Sequence, residues 1–374
     1  MKFKVLTILG TRPEIIRLSS IIKKLDLFFD HKLVNTGQNF DDHLNKIFFK
    51  DLEINKPNYN LNCKGDTTSK FLSQLFIKIE KVLDFEKPDA VIILGDTNSA
   101  LSAICVKRKK IPIFHIEAGN RCFDERVPEE INRKIVDHIA DINLTYSSYA
   151  SENLAREGLH KDRIIKIGSP LYEVYNDNYD KIERSQILRK LNIENKKFII
   201  ASVHREENLN NEESLKNILD SLLVLKKRLR LKIIFSTHPR TKKIIKNIKG
   251  FYKKEINFYN PFGYLDFVSL MKNSTLVVSD SGSITEETSI LSIPSVNLRF
   301  ANERQEAMEY GVVIMSGLKT VNILNAADIA LKENKNGLKK TLLTDYSRPN
   351  VSQAVINIIQ SYIPYIKDKI WHIR

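Results

Sequence analysis

The stretch Lys4-Val5-Leu6-Thr7-Ile8-Leu9-Gly10-Thr11-Arg12-Pro13-Glu14 decides the fold. Its first six residues form a short, nearly continuous apolar run, the pattern of a strand buried on both faces of a parallel sheet. A small-residue turn follows. Thr11 and Glu14 then have capping-box spacing, and a proline early in the first turn suits a helix start. Strand, tight turn and helix N-terminus recur along the chain. Runs rich in Ile, Val, Leu and Phe at 90–94, 111–116, 142–146, 198–203, 232–236, 275–278 and 294–298 read as further strands, separated by longer helical segments. Strands alternating with helices predict an α/β fold with parallel sheets covered on both sides. The polar segment 176–185 interrupts the pattern, which then starts again. It divides the chain into domains 1–178 and 179–351, two doubly wound, Rossmann-like halves with a cleft between them. Ligands of such sheets bind beyond the carboxyl ends of the strands, so the loops that follow strands are where chemistry is expected.

Length and composition set the outer bounds. With 374 residues the chain is too long for one ordinary core, and 42% hydrophobic residues are enough to build two. No apolar run is long enough to span a bilayer. The short run from Val5 to Leu9 meets Arg12 and Glu14 at once, unlike a signal peptide. Three widely spaced cysteines, Cys63, Cys105 and Cys122, form no C-x-x-C pair. That pattern argues against a disulfide framework or a zinc site and for a reducing cytoplasm. The formal charge of +14 raises nucleic-acid binding. However, the basic runs at 107–110 and at Lys242-Lys243 are short and lack interleaved aromatics, so a solvated Lys-rich surface with a pocket for a diphosphate is the expected reading. No Gly-x-Gly occurs, which removes the dinucleotide fingerprint, and the absence of Asp-x-Asp weakens a metal-dependent transferase. No metal ligand set and no cofactor are expected.

The loops that follow strands carry a coherent set of side chains. Arg12 sits on the first turn beside a helix N-terminus, a pairing that suits a phosphate. Asp96 follows the second strand in Gly95-Asp96-Thr97-Asn98-Ser99. Glu117 lies in His115-Ile116-Glu117-Ala118-Gly119-Asn120-Arg121, and Pro128-Glu129-Glu130-Ile131-Asn132-Arg133 comes soon after. Asp96, Glu117 and Glu129 in one cleft would shift one another's pKa values, as acid/base work needs. Each is also readable as a cap or surface ion-pair partner, Asp96 most of all, since aspartate in a turn is commonplace. In the second half, His204 stands at the end of a strand in His204-Arg205-Glu206-Glu207-Asn208, placed for proton transfer or phosphate contact. Ser279-Asp280-Ser281-Gly282-Ser283-Ile284-Thr285-Glu286-Glu287 is again strand, turn and helix. Its N–H groups and hydroxyls would cradle a phosphate that Gly282 lets approach closely, although Ser283 and Glu286 also have capping-box spacing.

Taken in order, these motifs, with Asn302-Glu303-Arg304-Gln305-Glu306, resemble the non-hydrolysing UDP-N-acetylglucosamine 2-epimerases over nearly the whole chain. The resemblance implies a GT-B arrangement of two Rossmann-like domains with UDP in the cleft. It also implies a C-terminal helix, 352–374, packed back on the first domain, and a homodimer that needs no metal or redox cofactor. By the same resemblance Arg12 and His204 approach the diphosphate or sugar, while Asp96, Glu117, Glu129 and Arg133 surround the sugar ring. Ser281, Gly282 and Ser283 hold phosphate, Glu287 the ribose hydroxyls, and Arg304 lies near the nucleotide. The implied substrate is a UDP-linked N-acetylated amino sugar, inverted at C2.

Several positions depart from the commonest members of that family. Arg17 stands where a lysine is usual, Gln38-Asn39 replaces a Gln-His pair, Glu206 replaces a second arginine, and Ser281-Gly282-Ser283 replaces Ser-Gly-Gly. The segment from Glu117 to Glu129 is slightly shorter, and the usual allosteric Arg-Gln pair has no clear counterpart near Asp66-Thr67-Thr68. Arg17, the run Thr36-Gly37-Gln38-Asn39, the 120–128 segment and His204-Arg205-Glu206-Glu207-Asn208 together resemble the branch that converts UDP-2-acetamido-2,6-dideoxy-L-talose to UDP-N-acetyl-L-fucosamine for capsule or O-antigen. The alternatives are a UDP-GlcNAc/UDP-ManNAc 2-epimerase and, more remotely, a GT-B glycosyltransferase.

Overall fold

A computed structural model describes residues 2–38, 42–209, 212–245 and 250–372. The chain divides into two compact units, residues 1–177 with 344–374, and residues 178–343. The first boundary falls one residue before the one read from the sequence. The return to the first unit begins at Thr344 rather than residue 352, because the short turn Thr344–Tyr346 already packs there, with Tyr346 fully buried.

Unit 1 is a seven-stranded sheet in the order β3-β2-β1-β4-β5-β6-β7. The strands are β1 Lys4–Leu9, β2 Asp30–Asn35, β3 Tyr59–Asn60, β4 Ala90–Leu94, β5 Ile113–Ala118, β6 Ile142–Thr145 and β7 Ile164–Lys166. Unit 2 has six: β8 Phe198–Val203, β9 Lys232–Thr237, β10 Asn257–Tyr259, β11 Leu276–Ser279, β12 Ser295–Asn297 and β13 Ile314–Met315, ordered β10-β9-β8-β11-β12-β13. All the pairings are parallel. Both sheets reverse direction of growth at one seam, between β1 and β4 in unit 1 and between β8 and β11 in unit 2. Adjacent strands at such a seam send their connections to opposite faces and leave a crevice at their carboxyl ends. The loops at the seams are those carrying Arg12, Asp96, His204 and Ser281.

Each sheet is covered by amphipathic helices. In unit 1 the helix Thr68–Glu86 buries Phe71, Leu75, Ile79, Val82 and Leu83; in unit 2 the helix Glu212–Leu229 buries Leu215, Ile218, Leu219, Leu222 and Leu225. Steps of three and four residues keep each set on one face of a 3.6-residue helix. The helix Val351–Tyr365 packs on the helix Arg12–Phe28 and buries Val351, Val355, Ile356, Ile359 and Ile363. Its first turn is held by Glu173, which accepts the Ser352 N–H at 2.8 Å and the Ser352 hydroxyl. A single helix over 352–374 was expected. The α-helix instead ends at Tyr365, one residue after Pro364, and a π-helical turn continues over Ile366–Ile370. Proline removes an N–H from the ladder, and a wider turn is one way to resume it. Among the described residues no helix is long and apolar enough to cross a membrane.

Candidate active site

In unit 1 the candidate residues are grouped around Gly10. A side chain there would put its Cβ 2.2 Å from Thr36 Oγ1 and 2.3 Å from Ser99 Oγ, so only glycine lets the turns after β1, β2 and β4 meet. The capping box expected of Thr11 and Glu14 forms. Glu14 does more than cap: it accepts the N–H groups of Gly10 at 2.9 Å and Thr11 at 2.6 Å, and the Thr97 hydroxyl at 2.9 Å. It thereby ties the Arg12 turn to the Asp96 turn. Arg12 is half-buried, with its guanidinium 5.9 Å above the Phe48 ring.

Asp96 and Arg133 come together as an ion pair. Arg133 donates Nε at 3.0 Å and Nη2 at 2.5 Å to one Asp96 oxygen, and donates Nη1 at 2.7 Å to Glu130. Asn132 adds bonds to the Asp96 carbonyl at 2.9 Å and the Asn98 side chain at 3.1 Å. The helix Pro128–Ile139 thus clamps the loop after β4. Glu130 is fully buried and also accepts the N–H groups of Cys122 and Phe123. Its neighbour Glu129, the residue singled out from the sequence, is exposed at the helix start.

Glu117 is the clearest structural outlier. Its φ is +67°, a left-handed conformation that glutamate rarely adopts. The β5–β6 register shifts between Ile116 and Ala118, and the bulge turns the Glu117 side chain out of the strand's alternation. It faces Arg17, whose Nε lies 3.5 Å away. Arg17 is itself 5% exposed, with its guanidinium 5.7 Å over the Tyr146 ring.

What holds this strained residue is a buried charge network. Asp137 accepts Nη1 of Arg121 at 2.7 Å and the Gly119 N–H at 3.2 Å, and lies 2.9 Å from His115 Nδ1. Arg121 forms a two-pronged pair with Glu157 at 2.7 and 2.6 Å, and His115 Nε2 reaches the Gly95 carbonyl at 2.8 Å. His115, Arg121 and Asp137 are all fully buried. Burial raises the Asp137 carboxyl, but His115 and Arg121 outweigh it and leave the group below its usual range. Burial lowers the His115 pKa, and the Asp137 carboxylate more than offsets that. The motif around Glu117 is therefore mostly scaffold, and Glu117 is its presented group.

Unit 2 repeats the plan at its own seam. Asp280, fully buried after β11, accepts the N–H of His204 at 3.0 and 3.1 Å and of Arg205 at 2.9 Å, with Asn208 Nδ2 at 3.0 Å. Its Oδ1 lies 3.0 Å from His204 Nδ1. Burial would raise the Asp280 carboxyl, yet the His204 imidazole and these donors bring it to about 2. The ionised carboxylate fixes the ring and leaves Nε2 as the outward atom. Beside it Ser281 and Ser283 share a 2.9 Å hydroxyl contact across Gly282. Ser283 makes no capping bond, and Glu286 instead pairs with Arg304 at 3.0 Å, so the capping-box reading of those two residues does not hold. Arg304 is 1% exposed and donates Nε to the Gly282 carbonyl at 3.3 Å, bracing the serine turn from behind. Glu287 is half-buried in the first turn of the helix Ile284–Leu291.

Reasoning from sequence missed Glu14 as more than a cap, and missed Asp137, Glu157 and Asp280 as the groups that hold the presented side chains. Asn39 and the side chain of Glu206, two of the departures noted above, lie outside the described residues. Among the described residues no group of three or more His, Cys, Asp or Glu side chains could hold a metal ion.

Residues 23–360 match the family described as UDP-N-acetylglucosamine 2-epimerase. The chain belongs to that family. A UDP-N-acetylglucosamine 2-epimerase of Methanocaldococcus jannaschii is 39% identical over 343 residues, covering 89% of this chain and 93% of the relative. Among solved structures, the UDP-N-acetylglucosamine 2-epimerase of Rickettsia bellii superposes with a TM-score of 0.91 at 44% identity, covering 99% of this chain and all of that one. The M. jannaschii enzyme in complex with UDP-GlcNAc and UDP gives a TM-score of 0.89 at 36% identity, over 96% and 99% of the two chains. The chain is thus an isomerase of this epimerase family, built from two parallel-sheet α/β units.

Proposed function

We propose that this epimerase inverts C2 of a UDP-N-acetylhexosamine by expelling UDP and adding it back. The observation that carries the reading is Glu117, a carboxylate held at φ +67° at the end of β5, on the same sheet edge as the Asp96–Arg133 pair. A C2 hydrogen beside an acetamido group is not acidic, so direct deprotonation is slow. Cleavage of the C1–O bond makes the ring cationic and the C2 proton labile. A carboxylate then takes that proton to give a 2-acetamidoglycal, a second group returns one to the opposite face, and UDP re-adds at C1. Asp96, Glu117 and Glu129 are the carboxylates assigned to this proton traffic, with Arg133 and Arg17 orienting the first two. Arg12, His204 and the turn Ser281-Gly282-Ser283 stabilise the departing diphosphate. Glu287 binds the ribose, and Arg304 supports the nucleotide turn from behind. The reading includes a cytoplasmic homodimer, to be checked by light scattering.

The departures at Arg17, Gln38-Asn39, the 120–128 segment and Glu206 favour UDP-2-acetamido-2,6-dideoxy-L-talose as substrate and UDP-N-acetyl-L-fucosamine as product, for surface polysaccharide. A second reading, UDP-GlcNAc to UDP-ManNAc, is favoured by the names of the relatives. An apolar pocket for a 6-methyl group rejects an added hydroxyl only modestly, by about 100-fold. Side-by-side incubation of both UDP-sugars in heavy water tests function and substrate together. Deuterium is expected at C2 without any acceptor, faster with the L-sugar. Sugar transfer to an acceptor with C2 unlabelled would overturn the epimerase reading, and efficient turnover of UDP-GlcNAc alone would overturn only the L-sugar.

A further inference from the structure

Glu14 belongs to no step above, yet it is 1% exposed and sits between the two turns that carry Arg12 and Asp96. Its oxygens are not equivalent. Oε2 takes both backbone donors, the N–H groups of Gly10 and Thr11. Oε1 accepts from the Thr97 hydroxyl at 2.9 Å. A hydroxyl can donate or accept, so this one contact exists in two forms. With Glu14 ionised, Thr97 donates to it and its only proton is used. With Glu14 neutral, the carboxyl O–H on Oε1 donates to Thr97, and the Thr97 proton turns to whatever lies beside Asp96. The backbone bonds to Oε2 persist in both forms, so the change needs no movement of the chain.

We propose that Glu14 is a positioning residue acting through Thr97, one proton on Glu14 deciding whether the Asp96 turn presents a hydroxyl donor or an acceptor to the sugar. The proposal rests on the epimerase reading and deepens it. The charged groups on the surrounding elements are Arg12 and Arg17 on the same helix, Asp96 after β4, His115 and Glu117 on β5, and Arg133 from the helix Pro128–Ile139. Arg133 is bonded to Asp96, Arg17 faces Glu117, and His115 lies against Asp137. Among the described residues no ion pair reaches Glu14; its partners are the N–H groups of Gly10 and Thr11 and the hydroxyls of Thr97 and Thr11. Burial therefore pushes its carboxyl up to about 7, against the lowering pull of those donors, and both forms are populated at neutral pH.

Glutamine is a fixed copy of the neutral form. Its carbonyl oxygen accepts from Gly10 and Thr11, and its NH₂ donates to Thr97. The test compares wild type with Glu14→Gln, Thr97→Val and Thr97→Ser. In the wild type kcat/KM is expected to fall about fivefold as pH rises through 7, the worth of one hydrogen bond. That limb should vanish in Glu14→Gln and Thr97→Val and return in Thr97→Ser. A limb of unchanged size and midpoint in Glu14→Gln would overturn the proposal. Infrared spectra of the unliganded protein give a readout independent of turnover. A protonated-carboxyl band should fade with a midpoint near pH 7 in wild type and Thr97→Ser, and be missing in Glu14→Gln. Its absence from wild type at pH 6 would also overturn the proposal. A protein that shows the band but turns over no UDP-sugar would refute the epimerase reading and leave the proton on Glu14 established.

Discussion

Glu117 and Asp280 show how one side chain is prepared by several others. Glu117 is presented in a backbone conformation that costs about 1–3 kcal/mol, which persists only because its surroundings over-determine it. Glu117→Gln keeps that geometry and removes the base. The variant is expected to stay folded by circular dichroism while kcat drops by at least about 100-fold, in line with lost proton transfer; full activity would take Glu117 out of the reaction. Asp280 makes the opposite kind of contribution, to stability. Its folded pKa of about 2 lies below the ordinary aspartate value of 3.8. The stabilisation is therefore complete above about pH 4 and is lost as pH falls through 2, and it amounts to about 2 kcal/mol. Denaturant melts of Asp280→Asn should show a deficit of that size at pH 7, shrinking towards pH 2. A deficit that does not change with pH would show that shape, not charge, is what Asp280 supplies. At this scale the sequence marks Asp96 and His204 as candidates, because polar residues just after apolar strands stand out. Asp137, Glu157 and Asp280 were not, because a buried counter-charge in a helix or turn looks like any solvated one. Nor was the positive φ of Glu117, which follows from the pairing of β5 with β6.

Elements meet at this sheet edge closely enough that glycine is obligatory in places. Gly119 has φ +81°, and a Cβ there would lie 2.2 Å from the Ala150 carbonyl oxygen and 2.8 Å from its carbon, both backbone atoms. Gly119→Ala should cost about 3 kcal/mol or more, the sum of backbone strain and overpacking. Gly158 has a similar φ of +90° with nothing within 4 Å, so Gly158→Ala should cost only about 1–2 kcal/mol. Equal midpoints in urea for the two variants would contradict the claim that the turn after β5 is packed against the helix Ser148–Arg156. The inner strands other than β2 were readable from their apolar runs, to within two residues at each end. β2 and the edge strands β3, β7, β10 and β13 were not. β2 carries Asp30, His31 and Lys32, and β3 and β13 are two residues each, so neither apolar run nor alternation marks them. Glu129 and Glu130 show a similar limit. Which of two adjacent glutamates is buried depends on the angle at which their helix crosses the sheet, and a motif does not contain that angle.

For the molecule as a whole, the decisive feature is that unit 1 is made of two pieces of chain, with unit 2 inserted between them. Val351, Val355, Ile356, Ile359, Ile363 and Ile366 are all 5% exposed or less, and the helix that carries the first five packs on the helix Arg12–Phe28. Burying each contributes about 1.5–3 kcal/mol, in sum as large as a domain's usual net stability. A chain ending at residue 343 should therefore keep a folded unit 2 and lose unit 1, visible in hydrogen exchange as protection confined to β8–β13. Protection of β1 and β4 in that truncated chain would refute the dependence.

The same insertion sets an order of events during synthesis. On the ribosome β1 to β7 are made first, yet they cannot close their outer layer until the helix Val351–Tyr365 emerges, after every residue of unit 2. Unit 2 is contiguous and can fold as soon as residue 343 clears the exit tunnel. The half made first is thus the half finished last, and the apolar face of the helix Arg12–Phe28 stays open through the translation of more than 300 residues. At about 5–20 residues per second that exposure lasts tens of seconds. In a nascent chain, this face is where a chaperone would be needed.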